Sequence, residues 1–210
     1  MLVAEGAVQC VEAGELLWQS GDERSGQGYI VTKGLFRLFH PSRSGNVVTL
    51  LAVAPGGILG YQGASKRKTH LSGAEAVYAS QVLSVPVVRL ESLLQASDAV
   101  GQAFTSWFGN TMFQQLAETD TRLELEHDSA KAKVAHVLLA LDAQGCLDRL
   151  TRQTIADLAN LSLETTVRQI SRLLKEGVLG SSHFTALTLK ERLALAELLE
   201  DYEPVQLPYL

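Results

Sequence analysis

Glu164 and Arg168 carry side chains that can read the edges of DNA bases, and they stand four residues apart in a stretch that is compatible with a helix. That spacing places both side chains on one face of a helix, a single turn apart. Arginine can donate two hydrogen bonds to guanine O6 and N7, and glutamate can accept one from cytosine N4. The pattern favours DNA reading, although a solvated Glu–Arg pair on a helix surface has the same spacing.

The segment 150–179 around this pair predicts two helices joined by a three-residue turn, a helix-turn-helix. Thr151 and Ser162 are capping residues placed directly before amphipathic stretches. Asn160 tolerates the left-handed backbone of a sharp turn, and Gly177 is placed to end the second helix. The predicted inner face of the second helix spans an arc of about 120°. Its members are Leu163, Thr166, Val167, Ile170, Leu173 and Leu174.

The remaining polar arc of the second helix supplies the candidate DNA contacts. Gln169 lies there with Glu164 and Arg168, and these three are the candidate base-reading residues. Hydroxyl and guanidinium groups near the two predicted helix starts are suited to phosphate oxygens. The candidates for phosphate contact are Thr151, Arg152, Ser162 and Thr165.

Further elements are predicted on both sides of the helix-turn-helix. Ser129 is an N-cap for an earlier helix, which Gly145 ends. The run 178–189 is β-compatible with a turn near 181–183, which predicts a wing. A last helix is predicted from 190 to about 201.

The first half of the chain is rich in turn residues. Twelve of the 17 glycines fall within residues 1–73, and no proline occurs between Pro86 and Pro204. Because glycine and proline mark tight turns, the first part has many turns and the rest permits long helices. Short β-favouring runs at near-regular spacing predict a small sandwich or barrel. The runs are 28–32, 35–39, 47–53 and 82–88.

A long helix of roughly 25 residues is predicted from about Asp98, where the apolar period changes. Phe104, Phe108, Met112 and Leu116 follow one another at intervals of four. This apolar face could pack on the β-domain of its own chain, or it could pair with the same helix of a second copy. The residues alone leave both alternatives open.

Composition limits the class of protein. The 210 residues are 46% apolar and 20% charged, without a run approaching the roughly 18 apolar residues of a membrane span. The N-terminus lacks a secretion signal, and Cys10 and Cys146 form no paired motif, so we expect a cytoplasmic protein with reduced thiols. A net charge of −5 argues against non-specific DNA binding. The sequence has no catalytic or metal-binding spacing, so we predict neither an enzyme nor a metal site.

Glycine-spaced motifs followed by the helix-turn-helix resemble the CRP/FNR family of bacterial transcription regulators. The similar segments are 13–15, 21–22, 29–34, 54–60, 74–76, 82–86 and 150–178. The resemblance implies an α+β fold in three parts. These are an N-terminal double-stranded, jelly-roll-like β-roll of the cyclic-nucleotide-binding type over 1–97, a long dimerisation helix over 98–127, and a C-terminal winged helix-turn-helix domain over 128–210.

The resemblance also assigns roles by position. Glu164 and Arg168 match the family's base-contacting residues, and Ser162 and Thr165 match its phosphate contacts. Leu163 stands where the family often has a further Arg, which leaves the operator sequence open. The family implies a homodimer on a near-palindromic promoter site in double-stranded DNA, with RNA polymerase as a further partner. The alternative is a ligand-binding or protein-interaction module whose helix-turn-helix does not read DNA.

The sensing pocket departs from that of the cyclic-AMP-binding members of the family. In those members a Gly-Glu after a Pro-Gly turn and an Arg-Ser further on hold the ribose and the cyclic phosphate. Here Tyr61 follows Gly60, and His70 and Leu71 stand in place of the Arg-Ser, so these four are the candidate pocket residues. We predict no control by cyclic AMP. Because the cysteine set of the oxygen-sensing members is absent, we also predict no iron–sulfur cluster, and no other cofactor is indicated.

Overall fold

The computed structural model describes residues 6–41, 47–61, 67–96, 98–181 and 186–199. The chain forms two compact units that divide between Glu118 and Thr119. In the part that is described, the strands belong to the first unit and the second unit is helical.

Eight antiparallel strands form two four-stranded sheets in the first unit. The strands are β1 (Ala7–Val11), β2 (Leu16–Trp18), β3 (Gln27–Lys33), β4 (Phe36–Pro41), β5 (Val47–Val53), β6 (Ile58–Leu59), β7 (Gly73–Ala76) and β8 (Ser80–Pro86). One sheet has the order β1-β8-β3-β6 and the other β2-β7-β4-β5. This arrangement confirms the expected β-roll, and each of the four β-favouring runs contains a strand.

Side chains from both sheets meet in one core, as the two-residue period of a strand requires. In β4, Phe36 is fully buried and Leu38 packs against the same core. Arg37, between them, pairs with Glu75 of β7 at 3.1 Å. The alternation gives each sheet one apolar face, and the two apolar faces enclose the core.

The predicted β-run 82–88 is wrong at its end, where the chain turns into a helix. β8 stops at Pro86, and α1 (Val87–Gln95) begins at the next residue. Val87 and Val88 favour strands by propensity. The helix nevertheless forms because it buries Leu90 and Leu93, three residues apart, in an apolar cluster of the first unit. Tertiary packing therefore overrides the local preference.

The long helix is confirmed as α2 (Ala99–Glu124), which has 26 residues. Phe104 is buried, and Phe108 and Met112 pack against the same cluster of the first unit. Of the four residues predicted as the dimer face, Leu116 alone is largely exposed, at 67%. Phe104, Phe108 and Met112 therefore pack within their own chain, which corrects their assignment to the dimer face.

Four shorter helices follow in the second unit. They are α3 (Ala130–Ala143), α4 (Arg152–Leu158), α5 (Leu163–Lys175) and α6 (Leu189–Ala196), with short 3-10 turns at Leu125–His127 and Glu197–Leu199. Ser129, Thr151 and Ser162 each accept a hydrogen bond from the backbone N–H three residues on, which confirms the three predicted starts. α6 begins one residue before the predicted position, where Thr188 and Glu191 form a capping box.

Candidate functional site

The turn between α4 and α5 has the conformation expected of a helix-turn-helix. Asn160 has a φ of 55°, in the left-handed region that asparagine tolerates better than most residues. Arg122 in the last turn of α2 donates a hydrogen bond from Nη1 to the carbonyl oxygen of Leu158, at 2.6 Å. That carbonyl ends α4 and lacks a partner within the helix, so the arginine holds the end of α4 in place.

Hydroxyl groups at the two helix starts form caps, which fixes where they can meet a phosphate. Thr151 Oγ1 accepts from the N–H of Thr154, and Ser162 Oγ accepts from the N–H of Thr165 at 3.1 Å. Ser162 Oγ also donates to Thr165 Oγ1 at 2.9 Å. The Thr165 hydroxyl proton is then available for an outside acceptor such as a phosphate oxygen.

The inner face of α5 is close to the predicted one. Thr166, Ile170 and Leu173 are fully buried. Leu163 differs, because 44% of its surface is exposed at the first residue of the helix. The prediction that Leu163 belongs to the core face is therefore wrong. Leu163 lies next to Glu164, one of the candidate DNA contacts.

The outer face of α5 presents Glu164 and Arg168 as exposed, unpaired side chains. Neither forms a hydrogen bond or ion pair with any residue that the structure describes, and they do not pair with each other. Arg172, one turn further on, is paired with Glu176 at 2.7 Å. The solvated Glu–Arg pair is therefore not formed, and both candidate base readers are available to a partner.

Arg152 and Gln169, two further candidate DNA contacts, are also accessible to a partner. Arg152 is exposed in the first turn of α4, and Gln169 is half-buried on α5. Within the described parts of the chain neither side chain has a hydrogen-bond partner. The structure thus brings the predicted base and phosphate contacts onto the start of α4 and the first two turns of α5.

Thr166 is the one polar residue on the buried face of α5, and its hydroxyl oxygen has no hydrogen-bond partner among the described residues. A buried hydroxyl without a partner costs about 1–3 kcal/mol. We expect Thr166→Val, which keeps the shape, to raise the free energy of unfolding by about 1 kcal/mol in urea denaturation. Thr165→Val is the matched control, because Thr165 Oγ1 has a partner; an equal gain there would contradict the explanation.

The flanks of the predicted wing are not strands. The turn near 181–183 lies mostly outside the described residues, and neither 178–181 nor 186–188 forms a strand. Their backbone N–H groups bond to carboxylates instead of to each other. Glu191 accepts from the N–H groups of Gly180 and Thr188, each at 2.7 Å, and Asp142 accepts from that of Leu187 at 2.8 Å.

Glu191 gives this arrangement a pH dependence. Burial alone would raise its pKa, but hydrogen bonds from the backbone of Gly180 and from the backbone and hydroxyl of Thr188 outweigh burial and hold the pKa below the usual 4.5. A lowered carboxyl pKa stabilises the fold above the unfolded pKa, and the stabilisation disappears as the pH falls through the folded value.

We therefore expect Glu191→Gln to be less stable than the wild type at pH 7. We also expect it to lose less of its stability than the wild type as the pH falls below 4.5, in thermal melts across that range. Glu197→Gln is the control, since Glu197 is an exposed carboxylate in no ion pair with the described residues. Parallel pH profiles of wild type and Glu191→Gln would refute the assignment.

The candidate pocket residues lie in the first unit, and two of them, Gly60 and His70, contact Trp18. His70 is 5% exposed and its ring stacks on Trp18, with ring centres 4.2 Å apart. A Cβ on Gly60 would lie 3.4 Å from Cη2 of Trp18. The Trp18 ring therefore borders both Gly60 and His70. Leu71 is 54% exposed, so it does not share their surroundings.

Trp18 is held by a hydrogen bond and by a neighbouring ring, and sequence reasoning did not single it out. Its Nε1 donates to the carbonyl oxygen of Ser72 at 2.8 Å, and its ring meets Tyr29 at 5.5 Å. Burial and the positive charge of Arg24 lower the pKa of His70, which keeps the stacked imidazole neutral at pH 7. The Ser72 contact spans 54 residues, so only the presence of a large aromatic residue in a short strand could have marked Trp18.

Tyr61 packs towards α2. Its ring meets that of Phe108 edge to face, with centres 4.9 Å apart. Burial and the nearby Glu91 raise the pKa of Tyr61, so its hydroxyl stays protonated. Gln115 donates from Nε2 to the carbonyl oxygen of Ile58 at 3.1 Å. The end of β6 and Tyr61 are therefore held against the long helix.

A second apolar face of α2 is exposed. Phe113 is 70%, Leu116 67% and Leu123 61% exposed. Their spacing of three and seven residues is that of adjacent core positions in a coiled coil. Gly109, four residues before Phe113, leaves open space around its Cα. This face has the pattern of a helix that pairs with another helix.

The described residues offer neither a metal site nor a membrane-spanning helix. Those residues contain no group of three His, Cys, Asp or Glu side chains that could hold a metal ion. No helix among them is both long enough and apolar enough to cross a membrane.

Comparisons with known protein families match both units of the chain. Residues 8–97 match the cyclic nucleotide-binding domain, and residues 132–198 match the Crp-like helix-turn-helix domain. A curated relative, the cyclic AMP receptor protein of Thermus thermophilus, is 28% identical over 153 residues, which cover 71% of this chain and 69% of the relative.

Solved structures show the same fold. FixK2 from Bradyrhizobium japonicum is similar with a TM-score of 0.74 at 23% identity, over 92% of this chain and 96% of FixK2. A transcriptional regulator of the CRP family from Thermus thermophilus is similar with a TM-score of 0.69 at 20% identity, over 91% of this chain and 96% of that one.

Proposed function

Because this chain belongs to the CRP/FNR family of transcription regulators, we propose that it acts as a homodimer on a near-palindromic promoter site. One α5 helix of each subunit enters one of two successive major grooves. The family consists of transcription regulators rather than enzymes, and its helix-turn-helix is a DNA-binding domain.

The observation that carries the proposal is that Glu164 and Arg168, in the first two turns of α5, have no partner among the described residues. The N-terminal end of a recognition helix is the part that reaches base edges. An arginine without a competing carboxylate can place both donors on guanine, and the neighbouring glutamate can accept from cytosine N4. Gln169 adds an amide on the same outer face.

Phosphate contacts fix the register of such a helix on DNA. Thr151 and Arg152 begin α4, while Ser162 and Thr165 begin α5, so both helix starts offer N–H, hydroxyl or guanidinium donors. The segment 149–179 has five basic and three acidic residues, a small positive excess. One such domain binds DNA weakly, and two joined domains gain affinity through avidity.

The exposed apolar face of α2 supports the dimer. Phe113 and Leu116 are more than half exposed, and Leu123 continues their spacing. Large apolar side chains at core positions of a coiled coil are suited to pairing with a second copy of the same helix. We assign the dimer contact to this face.

Independence from cyclic AMP is supported by the Trp18 ring. The Trp18 ring borders Gly60 and His70, which belong to the two segments, 60–61 and 70–71, at which the family resemblance places the ribose and phosphate contacts. His70 is neutral and stacked, and Leu71 is directed to solvent, so neither supplies the charged partner that a cyclic phosphate needs. RNA polymerase is the proposed partner of the bound dimer.

The test is selection of bound sequences from random double-stranded DNA with purified protein, with and without cyclic AMP. We expect a two-fold-symmetric consensus with half-sites about one helical turn apart, unchanged by the nucleotide. Enrichment that requires cyclic AMP would overturn the effector part of the proposal. A dimer that enriches no sequence under either condition would overturn the DNA-reading part and favour an interaction module.

A further inference from the structure

The outer face of α5 continues past Arg168 to a second arginine. Arg172 follows Arg168 by four residues, so it lies one turn further along and only about 40° round the helix. Arg168 has no partner among the described residues, whereas Arg172 has one. The same residue type on the same face is thus in two different electrostatic states.

Glu176 is the partner, and it holds a second cation as well. Its Oε1 accepts from Nε of Arg172 at 2.7 Å, and its Oε2 accepts from Nζ of Lys131 in α3 at 2.5 Å. Hydrogen bonds from Lys131 and then Arg172 lower the pKa of Glu176. The carboxylate is therefore ionised at neutral pH and uses both of its oxygens on cations.

The consequence concerns phosphate binding. Sequence-independent affinity for DNA comes from cations that displace counterions at the phosphates. Arg152, Arg168 and Lys175 have no partner in the described parts of the chain, so they can do this. The charges of Arg172 and Lys131 are offset by the carboxylate of Glu176, so these two side chains attract a phosphate less strongly while the ion pairs persist.

We propose that Glu176 is a specificity-determining residue, which pairs Arg172 and Lys131 and so keeps the recognition surface from binding phosphates regardless of sequence. The inference rests on the proposed DNA-reading function. Base reading by Glu164 and Arg168 is untouched by this pairing, so the carboxylate lowers binding to random DNA more than binding to the proper site. A site is found among many competing sequences, and the ratio of the two affinities decides occupancy.

The competing explanation is that Glu176 only ties α3 to α5. Exposed ion pairs contribute little to stability, and the side chain of Arg172 is 63% exposed. Glu176→Gln therefore folds, and its DNA affinity separates the two explanations. If Glu176 only connects α3 to α5, Glu176→Gln should lower the melting temperature slightly and leave binding to random DNA unchanged or weaker.

The experiment measures binding of the full-length protein to a random-sequence duplex and to the selected site, between about 50 and 200 mM salt. We expect Glu176→Gln to bind the random duplex about three- to tenfold more tightly, with a slope of log affinity against log salt steeper by about one to two. The ratio of specific to random affinity falls. Glu197→Gln is the matched control and changes the slope less, because it removes an exposed carboxylate that has no partner among the described residues of the same unit.

A variant that lacks both cations tests whether Glu176 acts through Arg172 and Lys131. With Arg172→Gln and Lys131→Gln already present, adding Glu176→Gln should leave binding to random DNA unchanged. The inference is overturned if Glu176→Gln does not tighten binding to random DNA, or if it does so equally in that background. Wild-type protein that binds neither duplex would overturn the proposed function, and the inference with it; wild-type binding without an effect of Glu176→Gln overturns the inference alone.

Discussion

Phe113→Glu should convert the protein to monomers and lower its affinity for the selected two-fold site by about 10²- to 10⁴-fold, the range that avidity between two joined domains supplies. Phe113 is 70% exposed in the single chain, so the fold does not depend on it. In a paired helix the same position would lie in the apolar seam, where two glutamates would face each other.

Sedimentation equilibrium and DNA binding of the same samples test this prediction. Val88→Glu is the control, because Val88 is 73% exposed on α1 and its loss leaves α2 unchanged. We expect that variant to stay dimeric with wild-type affinity. A Phe113→Glu protein that remains a dimer with unchanged affinity would show that α2 pairs through another face.

Arg168→Ala should weaken binding to the selected site by about 1–3 kcal/mol for each half-site, roughly a 5- to 150-fold loss per half, and relax the preference at one base pair of each half. The physical reason is the loss of two hydrogen bonds to guanine by a side chain that has no other partner among the described residues.

Binding to the consensus and to single-base variants of it measures the effect. Arg172→Ala is the matched control, since Arg172 lies one turn away on the same face but is paired with Glu176. We expect Arg172→Ala to keep the base preference. If Arg168→Ala instead weakened binding to all sequences alike, Arg168 would be a phosphate contact and not a base reader.

The long helix shows where sequence reasoning reaches its limit. Its pattern contains two apolar faces, one through Phe104 and Phe108 and another through Phe113 and Leu116. Both satisfy helical spacing, so the pattern predicts a helix without saying which face is internal. The β-roll decides, because its cluster around Leu90 accepts Phe104 and leaves Phe113 in solvent.

The pocket shows the same limit in another form. The sequence identified Tyr61, which follows Gly60, and the pair His70 and Leu71 as departures from the cyclic-AMP-binding pattern. It did not identify Trp18, whose ring lies against both Gly60 and His70. That contact depends on strands far apart in the chain, which meet only when the two sheets close on each other.

The sequence by itself determined the helix-turn-helix and the position of Glu164 and Arg168 on its second helix. The caps at Thr151 and Ser162, the turn at Asn160 and the spacing of Glu164 and Arg168 involve residues within four positions of each other, so local hydrogen bonds and helix geometry suffice. The tertiary structure alone decided which face of α2 is exposed, that 87–95 forms a helix, and that carboxylates replace the wing strands. Those outcomes depend on contacts between residues distant in the chain, such as that of Asp142 with Leu187, and packing of that kind overrides local preference.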